Sequence, residues 1–257
     1  VLFRSDTKEE LSMRGQARLG EEKISKLLME FSIPAIIGMV VNTLYNIVDR
    51  MYIGNIKDIG GLALTGVGIT MPIMTIIMAF GMLIGIGTSA RISLKLGEHK
   101  REEAEKHLGN AFTLIIIASV LITIIGLVFM HKILGLFGAS ADTEIYAREY
   151  MQIIFFGTIF NMLSFGLNHS IRSDGSPKVA MLSMLIGAGT NIILDPIFIF
   201  VFGMGVRGAA IATVISQIVS TIWILYYFTK GKSNLKIKRE YLSLDKAIVL
   251  SIFSIGV

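Results

Sequence analysis

The sequence predicts an all-α, polytopic membrane helix bundle: six transmembrane helices plus the truncated start of a seventh. Three observations carry this. Of 257 residues, 53% are hydrophobic and 17% charged, where a soluble domain carries about 25% charged. The apolar residues fall in runs of about 20, long enough at 1.5 Å rise to cross a ~30 Å hydrocarbon core and too long for strands of roughly 4–8 residues. The Lys and Arg collect between the runs. With no water in the bilayer core, each run must satisfy its own backbone, so each is read as a helix.

In order, the spans are residues 27–48, 68–89, 108–130, 151–167, 179–202 and 208–228. The fourth is short and can extend back through Tyr146. A seventh begins near Ala247 and breaks off at Val257. Residues 1–26 are expected to be a cytoplasmic N-terminal segment, with residues 1–12, ahead of Met13, not native. Residues 27–228 form a six-helix lobe, 229–246 a cytoplasmic linker, and 247–257 the truncated start of a second lobe. All but five of the 24 Lys and Arg fall on one side when the connections alternate. Positive charge favours the cytoplasmic side, which places the N-terminus inside. No cleavable signal peptide precedes the first span.

Composition also excludes. Without cysteine there is no disulfide framework, thiolate zinc site or thiol nucleophile. The net charge of +5 sits in the connections, so it is no nucleic-acid signal. His99, His107, His131 and His169 stand at or near span ends without metal-ligand spacing. The run Gly203-Met204-Gly205-Val206-Arg207-Gly208 matches a dinucleotide fingerprint letter for letter. No Asp or Glu occurs between Asp195 and Glu240, and the fingerprint needs an acidic residue about 20 positions on. A tight glycine turn between spans is expected instead. Gly81 and Gly85 are read as a helix-packing pair. No catalytic constellation lies in the spans, so an enzyme is not expected. Phe31-Ser32-Ile33 recurs as Phe253-Ser254-Ile255 at the start of the seventh span, which suggests a parallel duplication.

Ionised residues at the bilayer centre cost ~2.5–3.5 kcal/mol on insertion scales and mark an interior or an aqueous path. Asn42, Asn46 and Asp49 share one face of the first span. Spacing alone leaves Asp49 open between this role and a helix-end carboxylate paired with Arg50. Asn191 and Asp195, at i and i+4, lie inside the fifth span. Pro196 follows and is expected to kink the helix and free a carbonyl beside them. Such oxygens suit a hard cation; the rival reading is an inter-helix clamp. Thr213 and Gln217 share a face of the sixth span, as Asn161 and Asn168 do on the fourth.

The first span, Phe31 to Pro34 and on through Asn42-Thr43-Leu44-Tyr45-Asn46-Ile47-Val48-Asp49, resembles the opening helix of the multidrug and toxic compound extrusion (MATE) family. So do Ile171-Arg172-Ser173-Asp174-Gly175-Ser176-Pro177-Lys178, Asn191 to Phe200, and Gly205 to Thr213. The resemblance covers about residues 26–257. It implies the N-terminal half of a cation-coupled antiporter in the bacterial cytoplasmic membrane, exporting drugs or organic cations in exchange for Na⁺ or H⁺. It implies no other cofactor. Asp49, Asn191, Asp195 and Thr213 match the family's cation site, with Asn168 resembling a neighbour and Asn42, Asn46 and Gln217 lining the cavity. The partners implied are the bilayer, cationic substrates and a C-terminal lobe missing from this chain. A lipid-linked precursor flippase of the same superfamily is the alternative, disfavoured because the spans hold almost no basic residues. A seven-helix receptor is a more distant rival.

Overall fold

A computed structural model describes residues 23–256; the expectations for residues 1–12 lie outside these. Six helices are long and apolar enough to cross a membrane: α1 (Ile24–Gly54), α2 (Gly60–Gly97), α3 (Arg101–Val128), α4 (Ala141–Ser173), α5 (Pro177–Pro196, continued by a π-helical turn at Ile197–Val201) and α6 (Gly205–Thr229). A short helix, Met130–Leu136, links α3 to α4. A final helix, α7 (Lys246–Gly256), starts where the seventh span was expected.

Most of the helices outrun their apolar stretches, with charged residues continuing the turns past them. Lys95 of α2 pairs with Glu98 at 3.2 Å and with Glu103 of α3 at 2.7 Å, and Lys106 pairs with Glu102 at 3.0 Å. Such i,i+3 and i,i+4 pairs support exposed helical turns. Ser140 and Thr143 form a reciprocal cap that starts α4 well ahead of Tyr146.

The centre of the bundle is α4, whose most apolar stretch is 61% buried, against 11% for α1. It packs along α2, α3 and α6, while α1 packs chiefly on α5. Backbones approach closely where glycines face. A Cβ on Gly85 would lie 2.6 Å from the Gly166 carbonyl oxygen, so α2 and α4 touch backbone to backbone, as the Gly81/Gly85 pair predicts. A Cβ on Gly38 of α1 would lie 2.7 Å from the Met184 sulfur on α5. Hydroxyls bond across the helices: Thr123 to the Phe155 carbonyl, Thr221 to that of Phe160, and Ser220 to that of Ser183, at 2.8–3.0 Å. In lipid, association relies on close packing and such bonds, because tails are as apolar as leucine. The outer face of α1 accordingly exposes Ile36, Val40, Leu44 and Ile47.

The Gly203–Gly208 run makes the expected glycine turn at Gly203-Met204 and then opens α6. Gly203 and Gly205 have φ of +63° and +55°, a left-handed region that costs other L-residues energy. A Cβ on Gly208 would meet the Phe198 carbonyl at 2.7 Å.

Candidate functional site

Asp49, Asn191, Asp195 and Thr213 come from α1, α5 and α6 and meet inside the bundle. Relative exposures are 7, 0, 0 and 4%. The Asn191 amide donates to Asp195 Oδ1 at 3.1 Å and to Thr213 Oγ1 at 3.4 Å. The carboxyls of Asp49 and Asp195 are close enough to interact electrostatically.

Local chemistry explains the placement. Asn191 and Asp195 are one helical turn apart, so their side chains point the same way. Pro196 cannot donate a backbone hydrogen bond, and the regular α-helix ends there. The chain continues as the π turn Ile197–Val201, in which the Phe202 amide reaches back to the Ile197 carbonyl at 2.9 Å. Irregular turns of this kind recur at functional sites. On α1, Asp49 is buried while its neighbours Leu44, Ile47 and Met51 are exposed. Arg50 points elsewhere, with its guanidinium 2.8 Å from the Met71 sulfur on α2. The helix-end pairing of Asp49 with Arg50 is not what forms.

Three oxygens at this meeting point are buried and lack a hydrogen-bond partner: Asp49 Oδ1, Asn191 Oδ1 and Asp195 Oδ2. An unsatisfied buried polar atom costs ~1–3 kcal/mol, and more if charged. Two facing carboxylates add like-charge repulsion. A hard cation coordinated by carboxylate, amide and hydroxyl oxygens satisfies all of these atoms together. A proton between the carboxyls removes the repulsion and leaves one negative charge.

Two tyrosines complete the surroundings. Tyr150 of α4 is 2% exposed. Tyr150 and Tyr45 of α1 both stand near both carboxyls. Neither was expected from sequence. Tyr45 had a signal, being one turn from Asp49; Tyr150 had none, since only folding brings α4 here.

Asn46 donates to the Asn42 carbonyl at 2.7 Å, and both are half-buried on the Asp49 face. Gln217 is half-buried one turn beyond Thr213. Asn168 is a correction. Its amide donates to the Ala180 carbonyl and to Ser183 Oγ, both at 2.8 Å. Ser183 is 12 residues from Asp195 on α5, about 18 Å along a helix at 1.5 Å per residue. Chain direction explains the distance: α4 runs towards the short α4–α5 turn, and α5 runs away from it to Asp195. Asn168 is therefore a clamp at the opposite end of the bundle. Asn168→Ala removes two hydrogen bonds between α4 and α5 and is expected to lower stability by roughly 1–3 kcal/mol. Its check is a lower melting temperature of the purified protein with unchanged ion dependence.

The MatE family profile matches residues 34–197. This chain belongs to the MatE family. Asp49, Asn191 and Asp195 fall inside the matched segment and Thr213 beyond it. Among MatE relatives, the multidrug export protein MepA of Staphylococcus haemolyticus is 33% identical over 92% of this chain and 52% of its own length. MepA of Staphylococcus aureus (strain MRSA252) is 30% identical over 91% and 51%. A MOP superfamily transporter from Pyrococcus furiosus superposes with a TM-score of 0.85 at 32% identity, over 93% of this chain and 52% of that one. A MATE structure in a bent conformation gives 0.83 at 32% identity, over 90% and 51%. The chain thus spans about half the length of the MatE relatives it matches. Apolar helices and transporter relatives together make it an integral membrane protein.

Proposed function

We propose that this chain is the N-terminal lobe of a cation-coupled antiporter in a bacterial cytoplasmic membrane. The transporter exports drugs or organic cations in exchange for Na⁺ or H⁺, with its N-terminus in the cytoplasm. The observation that carries the coupling is the pair of buried carboxyls, Asp49 and Asp195, with three unpartnered oxygens between α1 and α5. The export reading is supported by relatives named as multidrug export proteins.

The geometry suggests how binding is felt. Helix α1 is the least buried span and holds to the bundle chiefly through α5. With both carboxylates charged, repulsion acts across that main contact. Binding Na⁺ between them, or protonating one, reverses it and draws α1 onto α5. An ion that binds one arrangement of α1 better than another shifts the equilibrium by its differential affinity. Asn191 orients Asp195, and Thr213 adds a neutral oxygen.

The test uses the complete transporter in proteoliposomes loaded with a fluorescent cationic dye. Imposed Na⁺ and pH gradients are applied separately. One gradient is expected to drive dye movement, and dissipating it to stop movement. Dye flux indifferent to both gradients would refute the coupling.

A further inference from the structure

Residues 230–245 lie in the expected linker, 229–246, and carry Lys230, Lys232, Lys236, Lys238 and Arg239; charged linkers in general self-repel and extend. The structure shows otherwise. Leu235 is fully buried, and Ser233 is 7% exposed. Two buried carboxylates outside the cation site receive this segment, at the end of the bundle where α3 begins and α4 and α6 end.

The first is Asp174, 4% exposed, in the α4–α5 turn. Its Oδ2 accepts from the Tyr227 hydroxyl of α6, from Ser233 Oγ at 2.7 Å and from the Asn234 backbone N–H at 3.1 Å. Burial pushes the Asp174 carboxyl above its usual range, and these donors pull it back. The second is Glu105 of α3, whose side chain is 3% exposed. It accepts from the Lys236 backbone N–H at 3.1 Å, and pairs with Lys238 Nζ at 2.7 Å and Arg101 Nε at 3.5 Å. One turn on, Asn110 Oδ1 accepts the Asp245 N–H at 2.8 Å, and Thr113 donates to the Leu242 carbonyl at 2.7 Å. Gly109 makes room: a Cβ there would sit 2.4 Å from the Tyr241 carbonyl oxygen. Asp245 then caps α7, accepting the Ala247 N–H at 2.8 Å. Arg91 of α2 holds α7 through the Ser251 carbonyl at 3.1 Å and Ser254 Oγ at 3.2 Å.

We propose that residues 230–245 form a seated strap, and that Asp174 and Glu105 are the positioning residues that hold it to the ends of α3, α4 and α6. A carboxylate accepting backbone N–H groups fixes the chain path and not merely a side chain, and such charge-assisted bonds are about twice as strong as neutral ones. Movement of this lobe then passes directly into α7 and is not absorbed by slack. The proposed function supplies only the name of the segment as the connection between lobes; the seating rests on contacts within the described residues.

The test is hydrogen exchange of the 230–245 peptide, with trypsin cleavage at its five basic residues, in the complete purified protein. In the parent, slow exchange and slow cleavage are expected. Glu105→Ala and Asp174→Ala each remove a bond to a charged group and are expected to speed both by roughly 10- to 100-fold. Protection of α2 and α4 should hold. Glu105→Gln keeps an acceptor oxygen for the Lys236 N–H and is expected to retain most of the protection. Free-chain exchange in the parent, or equal protection in parent and alanine variants, overturns the proposal. Should an alanine variant lose its helices, Ser233→Ala, which removes the donor to Asp174 Oδ2, decides by the same criterion: faster exchange and cleavage support the strap, and rates equal to the parent overturn it. Neither readout needs transport, so an inactive exporter and a loose strap are separate outcomes.

Discussion

Asp195→Asn is expected to abolish ion-driven export in the complete transporter while the protein still folds. The substitution keeps an oxygen for the Asn191 amide to donate to, now 3.1 Å from Asp195 Oδ1, so the turn on α5 persists. What disappears is one of two neighbouring buried negative charges. Breaking a buried charge pair costs about 3–5 kcal/mol, which corresponds to a loss of cation affinity of at least roughly 100-fold at 1.4 kcal/mol per decade. Asp49→Asn should do the same, and the double variant should add little, because the two act on one ion. The measurement is dye export against an imposed ion gradient, alongside the melting temperature of each variant. Export in Asp195→Asn equal to the parent, at the same gradient and protein level, would remove the ion from this site.

The second large effect is structural. Gly85→Val is expected to destabilise the lobe by roughly 3 kcal/mol, the upper end of ordinary overpacking. The new Cβ would stand 2.6 Å from the Gly166 carbonyl oxygen and 2.8 Å from its Cα. These are backbone atoms of the central helix and cannot swing aside as a side chain would. Helices α2 and α4 must separate, and much of the buried core lies along that contact. Gly97→Ala makes a control, since nothing lies within 4 Å of a Cβ there. The check is melting temperature in detergent: a marked drop for Gly85→Val and little change for Gly97→Ala. Equal melting temperatures would show that this glycine contact does not set the packing.

Much of the architecture was legible in the chain. Six apolar stretches became six helices, the glycine run became a turn, and the seventh span began within a residue of its expected start. The helix ends were not legible, because charged residues extend a helix only when neighbours pair with them, as Lys95 does with Glu103 across the α2–α3 turn. The site was half legible. Asn191 and Asp195 announce themselves by their spacing on one helix beside a proline. Asp49 stayed ambiguous until Arg50 was seen to turn towards Met71. Asn168 misled, because periodicity places a residue on a face and is silent about its level in the bundle. Nor did the sequence show that Asp174 and Glu105 fasten the expected linker, since those contacts join segments far apart in the chain.

By itself, then, the order of residues determined the helices, their number and that Asp195 lies within a span, since hydrophobic run length and the cost of burying charge are local properties of the chain; the burial of Asp49 was decided by folding. Which carboxyls meet, that Tyr45 and Tyr150 stand beside them, and where the strap is pinned were settled by folding. Each depends on distances between segments far apart in sequence, and those follow from helix-to-helix packing at glycines, where Gly85 lets two backbones touch and Gly38 admits the Met184 side chain.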